Sequence, residues 1–221
     1  MTPVTEILIA PLKPNAGLSS LSQAKAMLLR QPGCTAVRYS RQTEDPEKLV
    51  LFIDWDDVSS HQAFQENNAA EHQAIQEAVS QPCAGRVRST YHVPLDPPQS
   101  SSASKNDDDD DNDKNRKGER VLDFAAVVEI VHIYFPATLS DAAQRDVLER
   151  VNQTKQNLVE HAAGWAGVPA FGFAHELVDH FPGGSGDDSK SRVLVCLAGW
   201  GSLEARTAFA APRWRPRASP P

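Results

Sequence analysis

No apolar run in this chain approaches the length of a membrane span, and the run nearest the start, Ile7 to Ala10, is too short for a leader's hydrophobic core. A cytoplasmic protein with no membrane partner is therefore expected. Cysteine is scarce too. Cys34, Cys83 and Cys196 lie too far apart for a metal knuckle, and three thiols cannot all pair, so reduced cysteines are expected instead of a disulfide frame. Basic charge is in short supply, with 22 Lys and Arg against 29 Asp and Glu and a net charge of -7. That balance offers nucleic acid no attractive surface. Also missing are a Gly-rich nucleotide fingerprint, a P-loop, an HExxH pair and a GxSxG elbow. The cluster Gly183-Gly184-Ser185-Gly186 follows a proline in a polar stretch and opens no helix. No cofactor, metal or nucleotide is expected.

What is present begins with a segment that cannot fold. Between Gln99 and Gly118 six Asp residues stand among Ser, Asn and Lys with no large apolar side chain, so ordering the segment has nothing to offset its entropy. Residues 97–120 read as an acidic tether. On either side of it the chain repeats itself. Leu49 to Phe64 lies over Leu194 to Phe209 at a constant offset, with Leu49/Leu194, Val50/Val195, Trp55/Trp200, Ala63/Ala208 and Phe64/Phe209 identical. Duplication is the economical explanation, and it divides the chain into 1–96, the tether, 121–211 and a tail at 212–221.

Periodicity gives the elements of each half. In the first, strands are expected at Glu6 to Ala10, Ala36 to Ser40, Leu49 to Trp55 and Arg86 to Val93, with helices over Ser20 to Arg30 and from about Ser59 to Val79. The order is β-α-β-β-α-β. The second half predicts strands at Val127 to Phe135, Ala170 to Leu177 and Val193 to Trp200, a helix opened by Ser140 or Asp141, and another from Ser202. Its last strand is missing, because the prolines between Pro212 and Pro221 forbid a central strand. The fold class is α+β, two ferredoxin-like βαββαβ repeats closing an intramolecular, pseudo-dimeric barrel. The near-continuous apolar runs Leu49 to Trp55 and Val193 to Trp200 suit strands buried on both faces.

A strand ending in Trp followed by a helix that carries a polar residue and an aromatic, Trp55-His61-Phe64 and then Trp200-Arg206-Phe209, resembles the dimeric α+β barrel superfamily and, within it, antibiotic-biosynthesis-monooxygenase-like (ABM) domains. The resemblance implies cofactor-free oxygenation or cyclisation of an aromatic, polyketide-like molecule in an apolar pocket, with a group that ionises it. The alternative is a non-catalytic barrel that binds a hydrophobic ligand or a protein. The partner is then a small apolar or aromatic molecule, and self-association remains open.

The resemblance places Trp55 and Trp200 at the strand-end position and His61 and Arg206 at the helix-start position. Alternation puts His132 and Tyr134 on one face of their strand, where an imidazole beside a phenol suits enol or phenol chemistry. His61, His132 and Tyr134 are the catalytic candidates, and Trp55, Tyr39, Trp200 and Arg206 the substrate-binding ones. Glu6, Asp54 and His175 also lie on strands that could face the barrel, and Glu6 and Glu129 occupy equivalent places. Each of these residues has a structural reading too: core packing for the tryptophans, a solvated helix position for His61.

Overall fold

The structure, a computed structural model, describes residues 2–85, 89–96, 120–161, 163–179 and 190–210, without the side chains of 89, 156–161 and 179. The tether, the Gly- and Asp-rich loop and the tail expected from the sequence lie outside the described residues. In the first half β1 (Val4–Pro11), α1 (Ser19–Leu28), β2 (Cys34–Arg41), β3 (Lys48–Trp55), α2 (Val58–Asn67), α3 (Ala69–Ser80) and β4 (Ser89–Val93) follow in order. The strands form an antiparallel sheet ordered β2-β3-β1-β4, the ferredoxin-like arrangement. The helix expected over Ser59 to Val79 is two helices, because Asn68 leaves helical geometry at φ -124°, ψ 46° and turns its side-chain amide to Gln31 Oε1 at 3.4 Å.

The second half contains α4 (Val121–Phe124), β5 (Val127–Pro136), α5 (Asp141–His161), β6 (Ala170–Phe173), β7 (Val178–Asp179), β8 (Lys190–Trp200) and α6 (Leu203–Ala210). The strand expected over Ala170 to Leu177 is interrupted. His175 N donates to His92 O at 2.9 Å, which draws the chain away from β8 toward the first half before β7 rejoins it. The one-turn helix α4 has no apolar periodicity and was not expected. Among the described residues no strand lies beside β5 on the side away from β8, so the second repeat is truncated at its last strand.

The two sheets face each other. Even positions of β3 (Val50, Phe52) and odd positions of β1 and β4 (Ile7, Tyr91, Val93) pack against Val193, Val195, Leu197, Ala170 and Ala174 of the second half in one buried cluster. The opposite faces of β1 and β3 pack on α1, α2 and α3. In the second half, Phe171, Phe173 and Leu194 meet α5. β3 is buried along nearly its whole length, as its unbroken apolar run predicts. The halves are also stitched by backbone. Asp96 N donates to Phe171 O at 2.9 Å and Phe171 N to Asp96 O at 3.2 Å, so the end of β4 continues onto β6. Arg38 adds an ionic tie, reaching the fully buried Asp54 at 2.6 Å and donating through Nε to Asp123 at 2.8 Å.

Candidate functional site

One row of the first sheet gathers ionisable side chains. Register places Glu6 of β1 between Ile53 of β3 and His92 of β4, with Trp55 two pairs along, opposite Val4 and on the same face. Glu6, His92 and Trp55 therefore project toward the helix layer. Asp57 caps α2, accepting from Ser59 N at 2.9 Å, and the first turn that it fixes brings His61 over the same row, with Phe64 and Gln65 on the same side.

The contacts form a continuous network. The Trp55 indole N–H donates to Glu6 Oε2 at 3.3 Å, and His61 Nε2 stands 3.7 Å from that oxygen. His61 Nδ1 and His92 Nε2 are 2.7 Å apart, and the Gln65 amide nitrogen is 2.9 Å from His61 Nε2. From the second half, Glu176 takes both polar groups of His92: Nδ1 at 2.5 Å through Oε1 and the backbone N–H at 2.8 Å through Oε2. Trp55 is fully buried, stacked on His61 with centroids 4.8 Å apart and on Phe64 at 6.0 Å. It holds the site from behind and does not line the cavity.

Burial and charge set the protonation states. Burial raises the Glu6 carboxyl above its ordinary value, more than the neighbouring His92 charge and the Trp55 N–H lower it. Burial, reinforced by the charges of His92 and His72, pushes His61 down to about 4. For His92 burial acts downward, but the hydrogen bond it donates to Glu176 and the charges of Glu6 and Glu176 outweigh it, so its pKa lies above the ordinary value. Glu176 is lowered in turn, its partial burial being outweighed by the two His92 hydrogen bonds.

Glu6 and His61 form one end of a cavity of about 360 Å³ whose walls are Leu28, Leu51, Ile53, Phe64, Ile75 and Val79, with His72 and Thr90 also at its edge. The volume falls within the roughly 300–1,000 Å³ typical of small-molecule sites. Glu6, His61 and His92 each offer a ligand atom within 4.8 Å of the others, the only such group of three among the described residues. They are the residues that could hold a divalent cation.

The other expected residues are distributed elsewhere. Tyr39 packs toward α1, with its hydroxyl 2.8 Å from Ser22 Oγ, and together with Arg206 it borders a cavity of about 470 Å³ between β2 and β5, beside the position of the absent strand. His132 and Tyr134 share a face, as alternation predicts, but it is the barrel face: His132 Nε2 bonds the Tyr91 hydroxyl and its ring lies 6.4 Å from Tyr134. Neither lines the cavity that holds His61. His175 borders an open groove of about 700 Å³ between α5 and β6 whose rim is strongly charged, Asp141, Arg145 and Glu149 included. His92 and Glu176 were not singled out by the sequence. A His on a terminal strand gives no signal of its own, and the Glu176 contact exists only because the halves dock.

The second repeat keeps the scaffold and changes the chemistry. Trp200 Nε1 donates to Glu129 Oε2 at 3.2 Å, repeating Trp55 and Glu6, but Arg206 stands where His61 does and closes a 2.7 Å ion pair with Glu129. That pair is more open, with side chains 34% and 28% exposed against 8% and 9% for His61 and Glu6.

Comparison with known proteins agrees with this architecture. Over 96% of the chain the fold matches a candidate monooxygenase from Fusobacterium nucleatum (TM-score 0.53, 6% identity, 82% of that chain). It also matches one from Lactobacillus acidophilus (0.52, 9% identity, 96% of this chain, 83% of that one). A third match is an anthrone oxidase-like protein (0.51, 12% identity, 96% of this chain, 78% of that one). At such identities the likeness is one of fold, and it spans both repeats. No curated protein matches the sequence. Residues 9–78, which include α1, β2, β3, α2 and most of α3, match the antibiotic biosynthesis monooxygenase family. The first half thus contains a segment that matches an ABM domain, and the second half repeats the fold of the first with a different residue set at the equivalent site.

Proposed function

We propose that the first repeat is a cofactor-free enzyme acting on an aromatic ketone or phenol, removing an acidic proton in the cavity beside Glu6 and His61 and leaving the resulting anion to react with dioxygen or to cyclise. One observation carries this reading: a cavity lined on part of its surface by apolar side chains also holds a carboxyl and an imidazole whose pKa values are displaced in opposite senses, Glu6 upward and His61 downward. Neutral His61 is the base. Glu6, held toward its protonated form, donates to the substrate oxygen on which charge develops, as a neutral carboxylic acid in an apolar site does. Leu28, Leu51, Ile53, Phe64, Ile75 and Val79 give the carbanion an apolar wall that limits its contact with water. For an anthrone the oxygenation is balanced without a further reductant. The CH₂ carbon loses a proton to His61, the carbanion adds dioxygen, the hydroperoxide takes up a proton, and loss of water leaves a C=O group, so one dioxygen gives one quinone and one water. Anthrone is a fitting probe because it has a single activated CH₂, and a protein of similar fold carries the name anthrone oxidase-like.

The test is oxygen uptake by the full chain supplied with anthrone, after exhaustive treatment with EDTA. The expected result is one dioxygen consumed per anthraquinone formed, unaffected by the chelator and lost in His61→Gln. Activity that vanishes with EDTA and returns with a divalent metal would transfer Glu6, His61 and His92 to a metal-binding role and defeat the cofactor-free mechanism.

A further inference from the structure

The cavity site is not complete within the first repeat. Starting at Glu176, and with His92 neutral, the hydrogen bonds have one consistent direction. An ionised carboxylate accepts only, so the His92 Nδ1 at 2.5 Å must carry a hydrogen. In neutral His92 the other nitrogen, Nε2, is then a bare acceptor, and the His61 Nδ1 at 2.7 Å must carry the hydrogen between them. That leaves His61 Nε2 without hydrogen, its lone pair accepting from the Gln65 amide N–H at 2.9 Å in the ligand-free protein, a bond that substrate must displace for this nitrogen to act as base.

We infer that Glu176, contributed by the second repeat, is a positioning residue for the first repeat's site: through His92 it fixes the tautomer in which His61 can act as base, and it is the exit by which the abstracted proton reaches solvent. This rests on the catalytic reading above and deepens it. The exit is geometrically continuous. A proton taken at His61 Nε2 allows the Nδ1 hydrogen to pass to His92 Nε2, and the His92 Nδ1 hydrogen to pass to Glu176, whose side chain is 40% exposed. No bond other than N–H and O–H changes, and Glu176 delivers the proton to water. The asymmetry of the duplication follows. The second repeat has Arg206 in place of the base, and among the described residues it has no strand equivalent to β4 to supply a second imidazole. It serves the first site instead of operating its own.

Glu176→Gln tests this in the full chain. The amide keeps an oxygen for the His92 backbone N–H but presents its N–H groups to His92 Nδ1, reversing every bond in the line. In the ligand-free protein, nitrogen NMR on the alkaline side of the His92 titration should find hydrogen on Nδ1 of both imidazoles in the wild type and on Nε2 of both in Glu176→Gln. Anaerobic exchange of the anthrone CH₂ hydrogens in deuterium oxide should fall at least about tenfold in the variant, the penalty of a base in the wrong tautomer, and should recover in part on adding imidazole buffer. Hydrogen on His61 Nε2 in the wild type, or tautomers unchanged by the substitution, would overturn the inference without any substrate being involved. Tautomers that switch as stated while wild-type protein fails to exchange anthrone would uphold the role of Glu176 and remove the catalytic reading alone.

Discussion

Trp55 and His61 are the residues on which the site depends most, and they act on it in different ways. Trp55→Phe retains most of the buried aromatic volume and deletes the one N–H that reaches Glu6. The loss of a hydrogen bond to a buried carboxyl costs about 1–3 kcal/mol. Because that N–H lowers the Glu6 pKa, its removal drives the carboxyl further toward the protonated form. The expected outcome is a lower urea midpoint with an unchanged slope, together with an upward-shifted Glu6 titration. An unshifted titration would return Trp55 to packing alone. His61 gives a pH signature. Its folded pKa of about 4 is below the unfolded 6.5, so the unfolded chain binds more protons in that window, and its contribution to stability falls as pH drops from about 6.5 through 4. Glu6 and His92, both raised, work in the opposite sense, so the effect must be read as a difference. The melting temperature of wild type minus that of His61→Gln should decrease on acidification across that window. A constant difference would mean that His61 titrates normally.

At the scale of elements, legibility followed burial. β3 and β8 were readable because both faces are apolar, and Trp55/Trp200 fixed the register of the repeat. Glu6 and Glu129 were recognisable as equivalent, and the structure gives the reason: each accepts from the Trp of the neighbouring strand. The features that resisted were decided by tertiary contacts. The α2/α3 break follows from Asn68 meeting Gln31, and the gap between β6 and β7 follows from the docking of His175 onto β4. His132 and Tyr134 were placed on one face correctly, but alternation cannot say whether that face meets helices or the opposite sheet. The β4–β6 junction is where this scale can be probed. A Cβ on Gly172 would lie 2.4 Å from Pro94 O and 3.0 Å from Val93 Cγ1, both in the first half. A backbone carbonyl cannot swing aside, so Gly172→Ala should cost about 1–3 kcal/mol as overpacking does, visible in urea unfolding. A neutral substitution would mean that the two halves are not in contact there.

For the whole molecule, the shared core between the sheets makes each half dependent on the other. Ile7, Val50, Tyr91 and Val93 are at most 4% exposed, and they are covered by side chains of the second repeat. Expressed alone, residues 1–96 should aggregate or form a homodimer, because a separated half bares that face. A well-behaved monomer in sedimentation would contradict the barrel. The duplication has nonetheless produced unequal partners. One repeat carries the enclosed carboxyl–imidazole pair and its cavity, and the other carries a solvent-accessible ion pair at the same place. The most direct measurement of that asymmetry is anaerobic hydrogen–deuterium exchange at the anthrone CH₂, followed by proton NMR in wild type, His61→Gln and Arg206→Gln. The account predicts exchange in the wild type, its loss in His61→Gln and the wild-type rate in Arg206→Gln. Exchange that survives in His61→Gln and disappears in Arg206→Gln would place the chemistry in the second repeat and contradict it.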